Sequence, residues 1–413
     1  MPRNTNFLHS SEPLRNDDSL VLQSKHTTGA LSFLHPTHAV FRHRVLRTTE
    51  KSLSTNESDD SKAALEAHTI ASSNEQLAHD VHFAWRSRDN RKGRHLLQYK
   101  PAVQGDSTSP LYIVPEKSAS VTETLKGIKC MLTCFRYWDI SYLVAITFFI
   151  ASATWILNSF FLWLPLEVPE STFSGEIVVG GGISAFVGAT LFQLGSILLM
   201  IEAFNAERVG CFGWQIEKLV SKQSERDMVR ISPNLQHCVH HHNDKSGIGK
   251  GRGDGQEWQW FPSWNTIRSH CLRELGFLAS FAMFCGTTIF WISGFVALPG
   301  VIDHMSQGTL NGLYWVPQIV GSLGFTVSGF LYMLETQPNW FTPSPHVLGW
   351  HVGLWNGIGG IGFVLCGSLG PAYGNSGAQY QSALANFWGG WAFLIGSTLQ
   401  WYESLDKNPV EEQ

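Results

Sequence analysis

Two sets of side chains in this 413-residue sequence have types and spacings that suggest chemistry. The first is imidazole. His237-Cys238-Val239-His240-His241-His242 contains H-x-x-H-H, and His346 with His351 gives H-x4-H. Clustered histidines of this kind hold the metal in membrane di-iron desaturases and hydroxylases. Here, however, the run leads into Asn243, Asp244 and the loop GIGKGRGDG, far from any apolar segment. His237, His240, His241 and His242 therefore read as part of a plain polar loop, with adventitious metal binding as the alternative and a built centre as a remote third. The 247–255 glycine run lacks the G-x-x-x-x-G-K-[ST] spacing of a phosphate loop. No Ser-His-Asp set or paired carboxylates stand out, so no catalytic residue and no cofactor is assigned, and no nucleic-acid partner is expected.

The second set is three glutamates, Glu202, Glu335 and Glu403, each at the end of one repeated pattern. GATLFQLGSILLMIE (188–202), GSLGFTVSGFLYMLE (321–335) and GGWAFLIGSTLQWYE (389–403) share Gly at the start, Phe at +4, Gly or Ser at +7, Leu at +10 and Glu at +14. At 3.6 residues per turn, positions 0, 4, 7 and 14 stay on one helix face. Gly188, Gly195, Gly321, Ser328, Gly389 and Gly396 are the small residues of that stripe and read as close-packing sites. The glutamates either snorkel to water at the helix ends or form a bundle-facing ring able to hold a ligand or ion. Snorkelling is the expectation, although a carboxylate at a helix C-terminus opposes the macrodipole.

The elements that carry these residues are apolar and long. Six segments, 140–164, 177–201, 275–298, 313–334, 347–369 and 383–402, have the roughly 20-residue length needed to cross a bilayer. Aromatic residues sit at their ends, among them Tyr137, Trp138, Trp163, Tyr314, Trp315, Trp340, Trp350, Trp401 and Tyr402. The fold class expected is an all-α membrane protein of six transmembrane helices, arranged as three tandem two-helix repeats behind a disordered N-terminal arm. Proline turns at Pro165, Pro299 and Pro371 close the three hairpins. Polar amides at Asn158, Gln193, Asn356 and Asn386 call for interhelical hydrogen bonds, and Gly349, Gly353 and Gly357 form a further close-contact ridge.

Charge gives the orientation. Connections 165–176, 299–312 and 370–382 contain no Lys or Arg, whereas Lys126, Lys129, Arg136, Arg208, Lys218, Arg268 and Arg273 flank the opposite ends. Cations retained in the cytosol place both termini, the 203–273 loop and the 335–346 loop inside. The expected layout is a disordered arm at 1–136 with a basic and aromatic stretch at 81–95, a first hairpin at 137–204, a cytosolic loop at 205–273, two hairpins at 274–402 and a tail at 403–413. No apolar run precedes Tyr137, so no signal peptide is expected and the first span serves for insertion. The sequon Asn56-Glu57-Ser58 falls on the cytosolic side.

The arm holds three further features. Arg86, Arg88, Arg91, Lys92 and Arg94 follow Phe83-Ala84-Trp85 and suit an anionic leaflet, although a solvated basic linker fits them equally. Cys130 and Cys134, one turn apart before the first span, read as reduced thiols or S-palmitoylation sites. Trp258, Trp260, Phe261 and Trp264 form an interfacial anchor before the third span.

Segments 349–374 (GWHVGLWNGIGGIGFVLCGSLGPAYG), 274–300 (ELGFLASFAMFCGTTIFWISGFVALPG) and 258–265 (WQWFPSWN) resemble a family of uncharacterised fungal integral membrane proteins. The hairpins are similar to the small YrhK-like membrane domain. The likeness covers about residues 80–405 and implies membrane architecture and a fungal origin, with no reaction or substrate attached. The function expected is a non-enzymatic membrane scaffold or sensor, with a small-solute or ion pathway as the alternative and a di-iron oxidase as a remote third.

Overall fold

The computed structural model describes residues 20–22, 28–43, 75–94, 96–101, 112–206, 258–269 and 271–412. Its principal elements in order, short helical turns aside, are β1 (Leu20–Leu22), β2 (His38–His43), β3 (Glu75–Arg86), the single turn α1 (Ser87–Arg91), β4 (Leu96–Pro101), β5 (Tyr112–Pro115), α2 (Val121–Thr133), α3 (Ile140–Glu167), α4 (Gly182–Phe204), α5 (Leu275–Val296), α6 (Val316–Glu335), α7 (Leu348–Leu369), α8 (Ser376–Leu405) and β6 (Val410–Glu412).

Five helical segments, Ile140–Glu167, Glu176–Phe204, Leu275–Val296, Gln307–Glu335 and Leu348–Leu369, are long and apolar enough to cross a membrane. α8 is longer, but Gln379, Gln381, Asn386 and Gln400 dilute its apolar character. Local chemistry sets the helix starts. The Asp139 carboxylate accepts from the Ser141 amide at 2.9 Å, and the Asn375 side chain accepts from the Ala378 amide at 3.1 Å, each satisfying an otherwise orphaned N–H. α4 is entered through a π-helical turn, Glu176–Gly181, that follows Gly175 at φ 81°, a conformation open to glycine. α3 runs through Pro165 to Glu167 instead of stopping at the proline.

Each long helix packs on the next in sequence, and α8 packs back on α3, so the six form a closed ring. Small residues set the crossings. The backbones of Gly286 and Gly321 meet on α5 and α6, Gly329 meets Gly353 and Gly357 between α6 and α7, and Gly362 meets Gly389 between α7 and α8. Such close approach lets dispersion and weak polar contacts hold helices together where lipid supplies no hydrophobic drive.

At one end of the ring sits a six-stranded sheet of order β1-β2-β3-β4-β6, with β5 also on β3. All pairs are antiparallel except β4 with β6, whose register aligns Leu97 with Val410. Within the 1–136 arm, the described residues carry strands β1–β5, α1 and α2. β3 and β4 find partners in each other and in the C-terminal β6, a pairing across the whole chain that local composition does not reveal. Bidentate hydrogen bonds from Arg86 to Glu411 at 2.9 and 2.7 Å fasten the two termini. The sulfur atoms of Cys130 and Cys134 lie in contact, one turn apart at the end of α2.

A Cβ added at Gly286 would lie 2.7 Å from the Gly321 carbonyl and 3.0 Å from the Gly324 Cα, both backbone atoms that have no rotamer to yield. Gly286→Ala is expected to cost about 1–3 kcal/mol. A lowered midpoint of thermal unfolding in detergent, with Gly308→Ala unchanged as an open-space control, checks it.

Candidate functional site

α1 is one turn long, yet it decides what lies on the axis of the ring. Arg88, Arg91 and Lys92 stand at i, i+3 and i+4 and so share a face. Gly93, at φ 61°, ends the turn in the left-handed conformation and lets β4 leave. β3 delivers that face into the mouth of the ring, where it meets the three stripe glutamates. Glu202, Glu335 and Glu403 are 0%, 1% and 0% exposed. They do not snorkel; they face inward, and each meets one cation of that face, with Arg94 a second partner of Glu403.

Arg88 grips Glu403 through Nε at 2.8 Å and Nη2 at 2.7 Å. Arg91 grips Glu335 through Nη1 at 2.6 Å and Nη2 at 2.9 Å, and the Ser87 hydroxyl donates to the same carboxylate at 2.9 Å. Lys92 reaches Glu202 at 3.5 Å, and the Ser141 hydroxyl also donates to that carboxylate. Arg94 ties the plug together, bonding Asp89 at 2.7 Å and Glu403 at 3.2 Å. From the tail, Lys407 bonds the Lys92 carbonyl at 3.0 Å and pairs with Asp139 at 2.5 Å.

The third pair differs for a steric reason. α3, α5 and α7 place Ser141, Gly276 and Gly349 at the same level, each fourteen residues before an axial aromatic, Trp155, Phe290 or Phe363. A Cβ at Gly276 would collide with the Arg91 guanidinium and the Glu335 carboxylate, and one at Gly349 with the Arg88 side chain. Glycine opens the slot that each flat guanidinium fills. Ser141 fills its own slot, and a lysine stands opposite.

Burial penalises each buried cation. For Arg91 and Arg88 the nearby Glu335 and Glu403 carboxylates outweigh that cost and hold both guanidinium groups above the usual arginine value. For Lys92 burial outweighs the attraction of Glu202 and Glu403, so its ammonium is held below the usual lysine range.

Below the plug the axis is aromatic. Phe192, Phe325 and Phe393, the +4 positions of the repeat, form a triangle with centroids 5.8, 5.4 and 5.9 Å apart. Trp155, Phe290 and Phe363 form a second at 5.2, 5.0 and 5.7 Å. Gly188, Gly321 and Gly389 lie against Trp155, Phe290 and Phe363 respectively. Between plug and first triangle is a cavity of about 20 Å³, lined by Arg88, Arg91, Lys92, Tyr332, Asn356 and Gln400 among others, with room for one water-sized occupant. The Tyr332 ring lies under both guanidinium groups, 5.6 Å from Arg88 and 5.2 Å from Arg91.

The other sequence-level candidates are placed as follows. A Cβ added at Gly195 would lie 3.2 Å from the Phe148 ring and one at Gly396 3.0 Å from the Asn356 side chain, and Ser328 is buried. Asn158 donates to the Gly181 carbonyl at 2.7 Å, Asn386 donates to Asn158 at 3.0 Å, and Gln193 accepts from Thr288 at 3.3 Å. Trp258 is buried beside the end of α4, whereas Phe261 and Trp264 are exposed. Arg88, Arg91 and Lys92, expected at a leaflet or in a solvated linker, are inside the ring mouth instead. His237, His240, His241 and His242 lie outside the described residues, as do the glycine run and the sequon. Among the described residues no group of His, Cys, Asp and Glu could hold a metal ion.

Taken together, the fold and site define a ring of apolar helices sealed by a three-cation plug. No family model matches the chain, and no curated protein or solved structure does either.

Two outcomes follow from this geometry. Gly276→Ala should expel Arg91 and leave Glu335 buried without its cation, costing about 3–5 kcal/mol, far more than Ser141→Gly. Thermal unfolding of both variants in detergent measures this, and equal, small effects would show that the slots do not select arginine. The second concerns His38, whose Nδ1 lies 2.9 Å from the Thr37 hydroxyl. Burial, helped by Arg86, lowers its pKa to about 4 despite Glu335 and Glu411 nearby. Between that value and the ordinary 6.5 the unfolded chain holds the proton and the folded one does not. Stability should therefore rise with pH across this window, by up to about 1.4 kcal/mol per pH unit, and level off above it. Stability measured from pH 4 to 8 should show this slope, and His38→Gln should flatten it.

Proposed function

We propose that this chain is a multi-pass integral membrane protein of six spans, built as three tandem two-helix units, which acts as a non-enzymatic membrane scaffold or sensor. The observation that carries the reading is the closed axis: a buried three-cation plug above two aromatic triangles. Equal offsets at every axial layer support the threefold reading. So does the closed ring, in which α8 meets α3 as α4 meets α5 and α6 meets α7.

Both termini are assigned to the cytosol together with the plug. Lys126, Lys129, Arg136, Arg268 and Arg273 lie at or beyond that end, while stretches 168–176, 298–312 and 370–376 at the other end carry no Lys or Arg. Kinship with the fungal membrane family and with YrhK-like hairpins belongs to the same proposal and rests on the tryptophan and glycine placement quoted above. Sensing would act through the plug. It is one turn of helix joined to a sheet that binds both termini, so a signal that loosens the sheet reaches the ring mouth directly.

A second reading, a small-solute pathway, is favoured by one feature: the cavity behind the plug, with the Asn356 and Gln400 amides in its wall. Reconstitution into liposomes separates the two. The scaffold or sensor reading expects no release of entrapped potassium, chloride or a small neutral solute by the wild type, and none by Arg88→Ala/Arg91→Ala/Lys92→Ala either. Flux in the wild type would overturn it, and flux in the plug variant alone would make the ring a gated pathway.

A further inference from the structure

α2 carries an apolar face that no described part of the chain covers. Val121, Leu125, Ile128 and Leu132 recur at i, i+4, i+7 and i+11, and Phe135 continues the line past the helix end. Their exposures are 77%, 60%, 46%, 81% and 68%. The direction of this face is fixed, because a neighbouring face of α2 is seated on α8, with Gly127 against the Tyr402 ring.

Three further observations name the occupant. Stretch 121–136 carries Lys126, Lys129 and Arg136 against one carboxylate, Glu123, which Lys126 already holds at 2.7 Å. The helix ends only a few residues before Ile140, where the first apolar span begins, and Phe135 touches Tyr142 of that span with ring centroids 5.9 Å apart. The stripe thus leads directly to the start of the first apolar span. Aromatics are also exposed just ahead of the other two odd-numbered spans, Trp264 at 72% before α5 and Trp340 at 68% before α7.

We propose that α2 lies in the plane of the membrane at the plug end and docks on an anionic phospholipid leaflet, its apolar stripe among the acyl chains and its three cations at the headgroups. The anionic-lipid contact thus belongs to α2, and the 88–92 cations serve the ring. Because Tyr402 adjoins Glu403, a helix anchored in the leaflet also bears on the C-terminal end of α8, next to the carboxylate that Arg88 holds.

The inference rests on the membrane assignment, which co-elution of the full chain with nanodiscs reads separately. With the chain in phosphatidylcholine discs, with or without phosphatidylserine, benzoylphenylalanine is placed at Leu125, Leu132 or, on the polar face, Thr122, and irradiated. Lipid adducts from positions 125 and 132 but not 122 are expected, with phosphatidylserine over-represented. Lys126→Gln, Lys129→Gln and Arg136→Gln together should keep the adducts and reduce that preference, by about fivefold per cation removed. A crosslink from position 125 or 132 to a peptide of the same chain or of a second copy would overturn the proposal, as would a phosphatidylserine share unchanged by the three substitutions.

Discussion

Three carboxylates buried at the mouth of an apolar ring dominate the energetics of this structure. An unpaired buried charge costs several kcal/mol, and an ion pair offsets that cost only when its geometry is good and the remaining lone pairs are satisfied. The ring helices cannot supply the cations themselves, since α4, α6 and α8 contain no Lys or Arg. The counter-charges must come from elsewhere in the chain, and α1 brings all three on one turn. Formation of the ring and docking of the N-terminal segment are therefore energetically linked. Each is disfavoured without the other.

This requirement propagates outward. α1 has no capping side chain of its own, so its position depends on β3, and β3 depends on β4 and β6 for its place in the sheet. Arg94 bonds the Asp406 carbonyl at 2.8 Å and Lys407 bonds the plug backbone, so the tail closes over the same point from the other side. Segments 86–94 and 403–411, more than 300 residues apart, are held together by ion pairs that include Arg88–Glu403 and Arg86–Glu411. The departure from threefold equivalence at Glu202 belongs to the same logic. A helical turn presents three side chains at different reaches, and the ring accommodates them by keeping two glycine slots for guanidinium groups and filling the third with Ser141.

Much of the ring was legible in sequence because its signals are local and periodic. α3 and α5 start at Ile140 and Leu275, where the apolar segments were expected to begin, and the repeat placed Phe192, Phe325 and Phe393 on one face, which is the face that meets on the axis. The inward turn of Glu202, Glu335 and Glu403 was not legible, because a carboxylate at a helix end reads equally as snorkelling. The missing signal was in plain view: cations at 88, 91 and 92 have helical spacing and match the glutamates in number. Neither segment is informative until the other is placed beside it. The sheet was missed for a related reason. β4 and β6 are short, and their pairing is non-local, so nothing within either segment marks it as a strand.

The aromatic triangles explain why the plug needs to sit at only one end. Phe192, Phe325 and Phe393, with Trp155, Phe290 and Phe363 next along the axis, fill the middle of the ring with buried side chains. Offset and edge-on rings at centroid separations of 5.0–5.9 Å are favourable contacts in their own right, so this seal is maintained by packing rather than by charge. The axis thus has two closures of different physical kind. The aromatic one is insensitive to salt and pH, while the ionic one depends on how the sheet holds α1. A ring built this way has a barrier in its aromatic layers that does not depend on the ion pairs of the plug, the feature on which the proposed scaffold or sensor reading rests.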